Sequence, residues 1–234
     1  MKNVFIEAFN FYAEEMEKKV PNFWASEGYE HRIKQCNQVI NSLNNKFNFD
    51  KLITIETGSS ADYGDGLFGI LLGYVTKKTN GKMYSVDISS SVVENSKKIF
   101  NEVLPDLDYE CVIEDSVTYL KNFKETPNLV HLDSWDFDLF NPFPSALHGW
   151  REFEAIESKM PSGGIIIIDD NWCKGTYLQW VFDNGVIDGM GIKYPMIGKG
   201  THVYQYVKDY LSDWELIGTH YEEKNNMKIV IQKK

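Results

Sequence analysis

Apolar positions along the chain follow two periods, and the switches between them mark its elements. Residues 3–19 set Val4, Phe5, Ala8, Phe11, Tyr12 and Met16 at helical spacing, which predicts an amphipathic helix. A second helix is expected over about 29–47, with Ile33, Cys36, Val39, Ile40 and Leu43 on one face. Short apolar runs then take turns with helical stretches. Strands are expected at 52–56, 82–86, 109–113, 129–132 and 165–168, and helices at 66–76, 92–103, 116–123 and 146–159. The last of these strands is four isoleucines, an unbroken apolar run of the kind that fills a central parallel strand covered on both faces. Strands separated by helices imply right-handed crossovers and a doubly wound α/β sheet.

The end of the chain reads differently. A helix is expected at 201–211, followed by strands at 214–221 and 228–232. The polar turn Glu222-Glu223-Lys224-Asn225-Asn226 joins them, so they should form an antiparallel hairpin. The expected fold is therefore a Rossmann-like α/β domain: a seven-stranded, mostly parallel sheet with an antiparallel C-terminal strand and helices on both faces. Residues 1–48 form a helical cover, 49–172 the core, 173–200 a Gly- and aromatic-rich loop facing the substrate, and 201–234 the closing helix and hairpin. The whole is read as one domain, which 234 residues suit.

Composition narrows the partners. The formal net charge is −10. A nucleic-acid backbone or an anionic membrane calls for clustered Lys and Arg, so neither is expected as a partner. Cys36, Cys111 and Cys173 are widely spaced and odd in number, which argues against a disulfide framework or a zinc site and fits a reducing cytoplasm. The start carries acids among its apolar residues, unlike a signal peptide, and no apolar run is long enough to span a bilayer. The aromatic-rich N-terminal helix offers a surface for a homodimer.

The chemistry gathers at the carboxyl ends of the strands, where doubly wound sheets bind ligands. After the first strand comes Glu56-Thr57-Gly58-Ser59-Ser60-Ala61-Asp62-Tyr63-Gly64-Asp65-Gly66. Its glycines allow close backbone approach to a ligand or simply a tight turn. Asp87 ends the second strand and is placed to accept hydrogen bonds from ribose hydroxyls. Asp115, with Ser116 beside it, is placed to meet an adenine amino group. Each Asp could instead cap the helix that follows. The acids Glu56, Asp62 and Asp65 repel a pyrophosphate but suit a cationic ligand, which favours S-adenosylmethionine (SAM), with its sulfonium and ammonium, over NAD.

Ile-Glu-Thr-Gly-Ser after the first strand, Ser-Val-Asp at the second, Leu-Asp-Ser at the fourth and Gly-Gly-Ile-Ile-Ile-Ile-Asp-Asp at the fifth resemble class I SAM-dependent methyltransferases. Within that class the chain is similar to the metal-dependent small-molecule O-methyltransferases, the macrocin O-methyltransferase-like sugar group and, more distantly, catechol O-methyltransferase. The resemblance covers about residues 51–171. It implies a SAM site made of Glu56, Gly58, Ser60, Gly64, Asp65, Asp87, Asp115, Ser116 and Asp133.

Strand four ends in His131-Leu132-Asp133-Ser134-Trp135-Asp136 and strand five in Asp169-Asp170-Asn171. Asp133, Asp169 and Asp170 at one edge repel each other unless a positive group sits between them. A hard divalent cation such as Mg²⁺ meets that need, and the resemblance implies a metal at the same three residues; Asn171 could serve as a further oxygen ligand. The alternative is that one acid caps a helix and another binds the SAM ammonium. In the catechol enzymes a lysine follows the first metal Asp by three residues; here that position is Asp136. Asp136 and His148 are the candidate bases. Trp135, Phe137, Phe140, Phe143 and Trp172 surround this edge, and core packing is the expected role for most of them. The function expected is Mg²⁺-assisted SAM-dependent O-methylation of a small hydroxylated acceptor, such as a sugar or natural product. The rivals are an NAD-dependent oxidoreductase and a SAM-binding module without chemistry.

Overall fold

The computed structural model describes residues 4–19, 37, 39–44, 46, 49–63, 67–138, 141–173, 196–220 and 227–234. The first helix, α1 (Val4–Lys19), buries Phe5, Ala8, Tyr12 and Met16 and packs on the helix after the first strand. Residues 39–44 are helical, and Val39, Ile40 and Leu43 join the same core. Most of the second predicted helix, with Ile33 and Cys36, lies outside the described residues.

The sheet is built from β1 (Ile53–Thr57), β2 (Lys82–Asp87), β3 (Asp108–Ile113), β4 (Leu129–Leu132), β5 (Ile165–Cys173), β6 (Met196–Gly198), β7 (Trp214–His220) and β8 (Met227–Lys233). Its order is β3-β2-β1-β4-β5-β8-β7, with β6 paired to the far end of β5. The β1–β2, β1–β4, β2–β3 and β4–β5 pairs are parallel. β8 runs antiparallel to both β5 and β7, as the terminal hairpin predicted. The intervening helices are α2 (Leu67–Lys78), α3 (Ser90–Val103), α4 (Ser116–Asn122), α5 (Phe143–Ile156) and α6 (Thr201–Tyr210).

Each face of the sheet has its own core, and period-two alternation sorts residues between them. Leu129, Ile165, Ile167 and Val230 pack with α1, α2 and α3. Val130, Leu132, Ile166, Ile168, Ile229 and Ile231 pack with α4, α5 and α6. The isoleucine run is thus buried on both sides, as its composition required.

Two departures from the expected elements bear on the site. α5 begins at Phe143, three residues early, because Pro144 sits in the first turn, where proline costs no hydrogen bond. β5 does not stop at Ile168. It continues through Asp169 and Asp170 past a register shift, and Asn171–Cys173 pair with β6, a strand the sequence reading did not assign. Residues 174–195 of the expected substrate-facing loop lie outside the described residues. Among the described residues no helix is long and apolar enough to cross a membrane.

Candidate functional site

A cleft of about 540 Å³ opens where β1, β2, β4 and β5 end. It is lined by Glu56, Gly58, Ser60, Asp87, Asp115, Ser116, Asp133, Asp136, His148, Asp169 and Asp170 of the sequence-predicted site residues, while Asn171 lies outside its lining. Gly64 and Asp65 fall outside the described residues.

The turn after β1 brings the first wall against the second. Gly58 has φ +78°, and a Cβ there would stand 2.6 Å from the carbonyl oxygen of Asp133. Only glycine serves both demands. Gly69 plays the matching part on α2, where a Cβ would meet the Glu56 carboxylate at 2.6 Å. The Ser60 hydroxyl is buried and has no hydrogen-bond partner among the described residues. An orphaned hydroxyl on a cleft wall is what a polar ligand would satisfy.

Asp87 ends β2 and does not cap α3; that role falls to Ser89, whose side chain accepts from the Val92 amide. The two Asp87 carboxylate oxygens instead accept the backbone N–H groups of Ser59 (3.0 Å) and Ser89 (2.8 Å), which fixes the acid on the rim. Beside it Ile88 is 79% exposed, an apolar face offered to the cleft. Asp115 does cap α4, accepting from the amide (2.9 Å) and hydroxyl (2.8 Å) of Thr118, while still lining the cleft. Burial pushes its carboxyl up, but the Thr118 bonds prevail and hold it below its ordinary value.

A second group of polar residues ties α4, α5 and the end of β4 together. The buried Ser116 hydroxyl lies 2.9 Å from Nε2 of His148 and 3.2 Å from the Ser134 hydroxyl. Ser134 donates to Glu152 at 2.6 Å. Glu152 is fully buried, was not singled out in the sequence, and sits one helical turn after His148. Trp135, one of the aromatics for most of which core packing was the expected role, lines the cleft instead, 57% exposed, with its ring 5.2 Å from that of His148. Its φ is +64°, a conformation that bulky residues avoid unless their surroundings enforce it. Phe143 is likewise exposed rather than packed.

The acidic edge holds the main surprise. Asp133, Asp169 and Asp170 do converge, but the positive charge among them comes from the chain itself. Nζ of Lys199 lies 2.6 Å from Oδ1 of Asp133, 3.0 Å from its carbonyl oxygen and 2.8 Å from Oδ2 of Asp170. Lys228 pairs with Asp169. Burial disfavours the Lys199 ammonium, yet the three carboxylates around it outweigh burial and hold its pKa above the ordinary lysine value. Burial also pushes the Asp169 carboxyl up, but Lys228 and His131 hold it well below its usual range. Asp170 is raised by burial and by the neighbouring Asp169. Asn171, considered as a metal ligand, spends its side chain on backbone: it donates to the carbonyls of Ile168 and Asp169 and accepts from the Gly200 amide at 2.7 Å.

His131 completes the floor. Its ring nitrogens stand 3.5 Å from Glu56 and 3.6 Å from Asp169. At those distances they are ionic contacts rather than hydrogen bonds. Even with His131 protonated, three cationic groups face the four carboxyl groups of Glu56, Asp133, Asp169 and Asp170. Burial pushes the Glu56 carboxyl up, as it does that of Asp170, so the chain's own cations offset the negative charge of this floor.

The expected Mg²⁺ does not fit this donor set. The oxygens of Asp133 and Asp170 that converge do so on an ammonium, and Asp169 is already paired. His131, Asp133 and Asp169 each offer a ligand atom, all within 4.8 Å of one another, but a dication there would sit among the same lysines.

No family model matches the sequence, and no curated protein matches it. Solved structures do. The methyltransferase PaMTH1 of Podospora anserina, bound to SAH, is 13% identical, with 99% of this chain and 88% of that chain covered and a TM-score of 0.56. A Streptococcus mutans protein in complex with SAH is 12% identical over 85% of this chain and 97% of that one, with a TM-score of 0.55. An rRNA methylase of Streptococcus thermophilus is 12% identical over 82% and 92%, with a TM-score of 0.51. At such identities the likeness establishes a shared fold.

Proposed function

We propose that the chain is a SAM-dependent methyltransferase that methylates an oxygen of a small hydroxylated acceptor, such as a sugar or natural product. The observation that carries this reading is the cleft at the strand ends, whose rim sets Asp87 beside the exposed Ile88 and the orphaned Ser60 hydroxyl. The SAH named in two of the structural likenesses supports the same ligand. The acidic net charge of −10 favours a small acceptor over a nucleic acid.

SAM, once bound, supplies a methyl group on a sulfonium, open to in-line attack. Asp87 would hold the ribose hydroxyls, Ile88 would offer its apolar face to the adenine ring, and the acids around Gly58 would meet the ligand's positive groups. The acceptor oxygen would take that methyl group, the O–CH₃ bond forming as the S–CH₃ bond breaks and SAH keeping the electron pair. The acceptor proton passes to His148, which Ser116 orients and Trp135 flanks; Asp136, exposed at the mouth, is the second candidate. General-base help of this kind is worth about 10²–10⁴-fold. The reading also takes the protein as cytoplasmic, with a homodimer through α1 as its expected assembly.

Calorimetry with SAM and with SAH tests the reading. We expect one site of low-micromolar affinity, weakened about tenfold or more in Asp87→Ala, the loss of one charge-assisted hydrogen-bond pair. No heat with either ligand would sink it, and binding of NAD(H) in their place would favour an oxidoreductase.

A further inference from the structure

The acidic edge contains a cation that the fold delivers on purpose-built backbone. Lys199 lies in the turn between β6 and α6 and is 1% exposed. Its amide donates to the Asp170 carbonyl at 3.2 Å, and the next amide, Gly200, donates to Asn171 at 2.7 Å. β6 itself is held by pairing with Asn171–Cys173. The lysine is therefore pinned to the far end of β5 before its side chain makes any contact. An ammonium has three N–H donors, and three oxygens meet this one: Asp133 Oδ1, the Asp133 carbonyl and Asp170 Oδ2. Lys228, from β8, pairs with the remaining acid, Asp169, and lies 4.7 Å over the Phe68 ring.

A divalent ion with oxygen ligands needs several carboxylate lone pairs aimed at one empty point. Here the point at which Asp133 and Asp170 aim is filled. A second cation beside two buried ammonium groups meets repulsion in a poorly screened setting.

We propose that Lys199 is the resident cation of this edge: its ammonium stands where a divalent ion would otherwise bridge Asp133 and Asp170, and the protein works with no metal bound there. A consequence follows for the acceptor, and it rests on the methyl-transfer reading. An acceptor chelated by a metal presents two neighbouring oxygens to it. An acceptor held by hydrogen bonds needs a single nucleophilic hydroxyl.

The test titrates Mn²⁺, an oxygen-seeking ion whose free form has a distinct electron paramagnetic resonance signal, into the wild type, Lys199→Arg and Lys199→Met. The wild type and Lys199→Arg should leave the Mn²⁺ signal free. Lys199→Met should bind one Mn²⁺ at least about tenfold more tightly than the wild type, melt higher in its presence, and lose both effects when Asp133→Asn is added. Binding of one Mn²⁺ by the wild type, abolished by Asp133→Asn alone, overturns the proposal. So does a folded Lys199→Met that takes up no Mn²⁺. Should Lys199→Met not fold, the wild-type titration decides alone. Metal occupancy is read here without SAM, so failure of this proposal is separate from failure of SAM binding in calorimetry.

Discussion

Ser134 donates its hydroxyl proton to Oε1 of Glu152 at 2.6 Å, and that same carboxylate oxygen lies 3.7 Å from Nε2 of His148. Glu152 is wholly buried, and its other oxygen has no hydrogen-bond partner among the described residues. Burial pushes its carboxyl above the ordinary value of 4.5, with His148 and Ser134 pulling the other way. A raised folded-state pKa means that the acid is most comfortable protonated. Its contribution to stability is full below 4.5 and is lost as pH rises through the folded value. Glu152→Gln, which keeps the shape without the charge, should therefore gain melting temperature relative to wild type as pH rises. Parallel melting curves for the two proteins across that range would refute the direction.

His131 carries the same sign of pH dependence in a different group and at higher pH. Burial alone would lower its pKa, but Asp169 and Glu56 outweigh burial and lift it from 6.5 to about 9. The stability it contributes is complete below 6.5 and is lost as pH climbs through about 9. A shift of this size corresponds to about 3 kcal/mol. Urea midpoints should fall over that interval in the wild type, and His131→Gln should flatten the fall. A chemical-shift titration of the imidazole gives the same pKa directly.

The sheet was legible because its signals are local. The isoleucine run, the turn residues Pro161 to Gly164 and the alternation of strand and helix need no partner to be read. The acids of the cleft were legible for a related reason: Asp87, Asp115 and Asp133 each sit at or just past the end of a strand, and Asp169 directly follows the isoleucine run, where a doubly wound sheet gathers its ligands. The lysines were not. Lys199 follows a segment without clear periodicity, and Lys228 stands just before the apolar run Ile229–Ile231. Nothing in their spacing says that 66 residues separate Asp133 from the ammonium that meets it. A surplus of buried carboxylates was the one available clue, and it pointed equally to a metal. The cap of α3 escaped for a smaller reason, since Ser89 and Asp87 are both good cap residues two positions apart.

Gly58 gives a prediction on the cleft itself. At φ +78°, with Asp133 carbonyl oxygen 2.6 Å from any Cβ, alanine would be strained by its own backbone and would push β1 away from β4. Gly58→Ala should lose at least about 1 kcal/mol of stability. SAM affinity should drop more than the fold does, because the displaced turn also carries Ser59, whose amide holds Asp87. Equal losses of SAM binding in Gly58→Ala and in an equally destabilised core variant away from the cleft would show that the turn has no special part in binding.

Lys159 supplies a prediction that stands apart from the site. It follows α5 in a single turn of 3₁₀ helix, Glu157–Lys159, and its ammonium donates to the carbonyls of Leu120 (2.5 Å), Lys121 (2.7 Å) and Phe123 (3.0 Å). Those carbonyls close α4, where the last turn of a helix leaves acceptors without partners and its dipole favours a positive charge. The contact also clips α4 to α5, the two helices that carry Asp115, Ser116 and His148. Burial lowers the Lys159 pKa, which sets a modest cost against the three bonds. Lys159→Met keeps most of the apolar stem and removes the donors, so it should destabilise the protein by about 1–2 kcal/mol. The loss should appear as a lower urea midpoint with an unchanged slope, and amide exchange should quicken in residues 116–122 more than in α1. A variant with wild-type exchange along α4 would mean that water replaces the ammonium at no net cost.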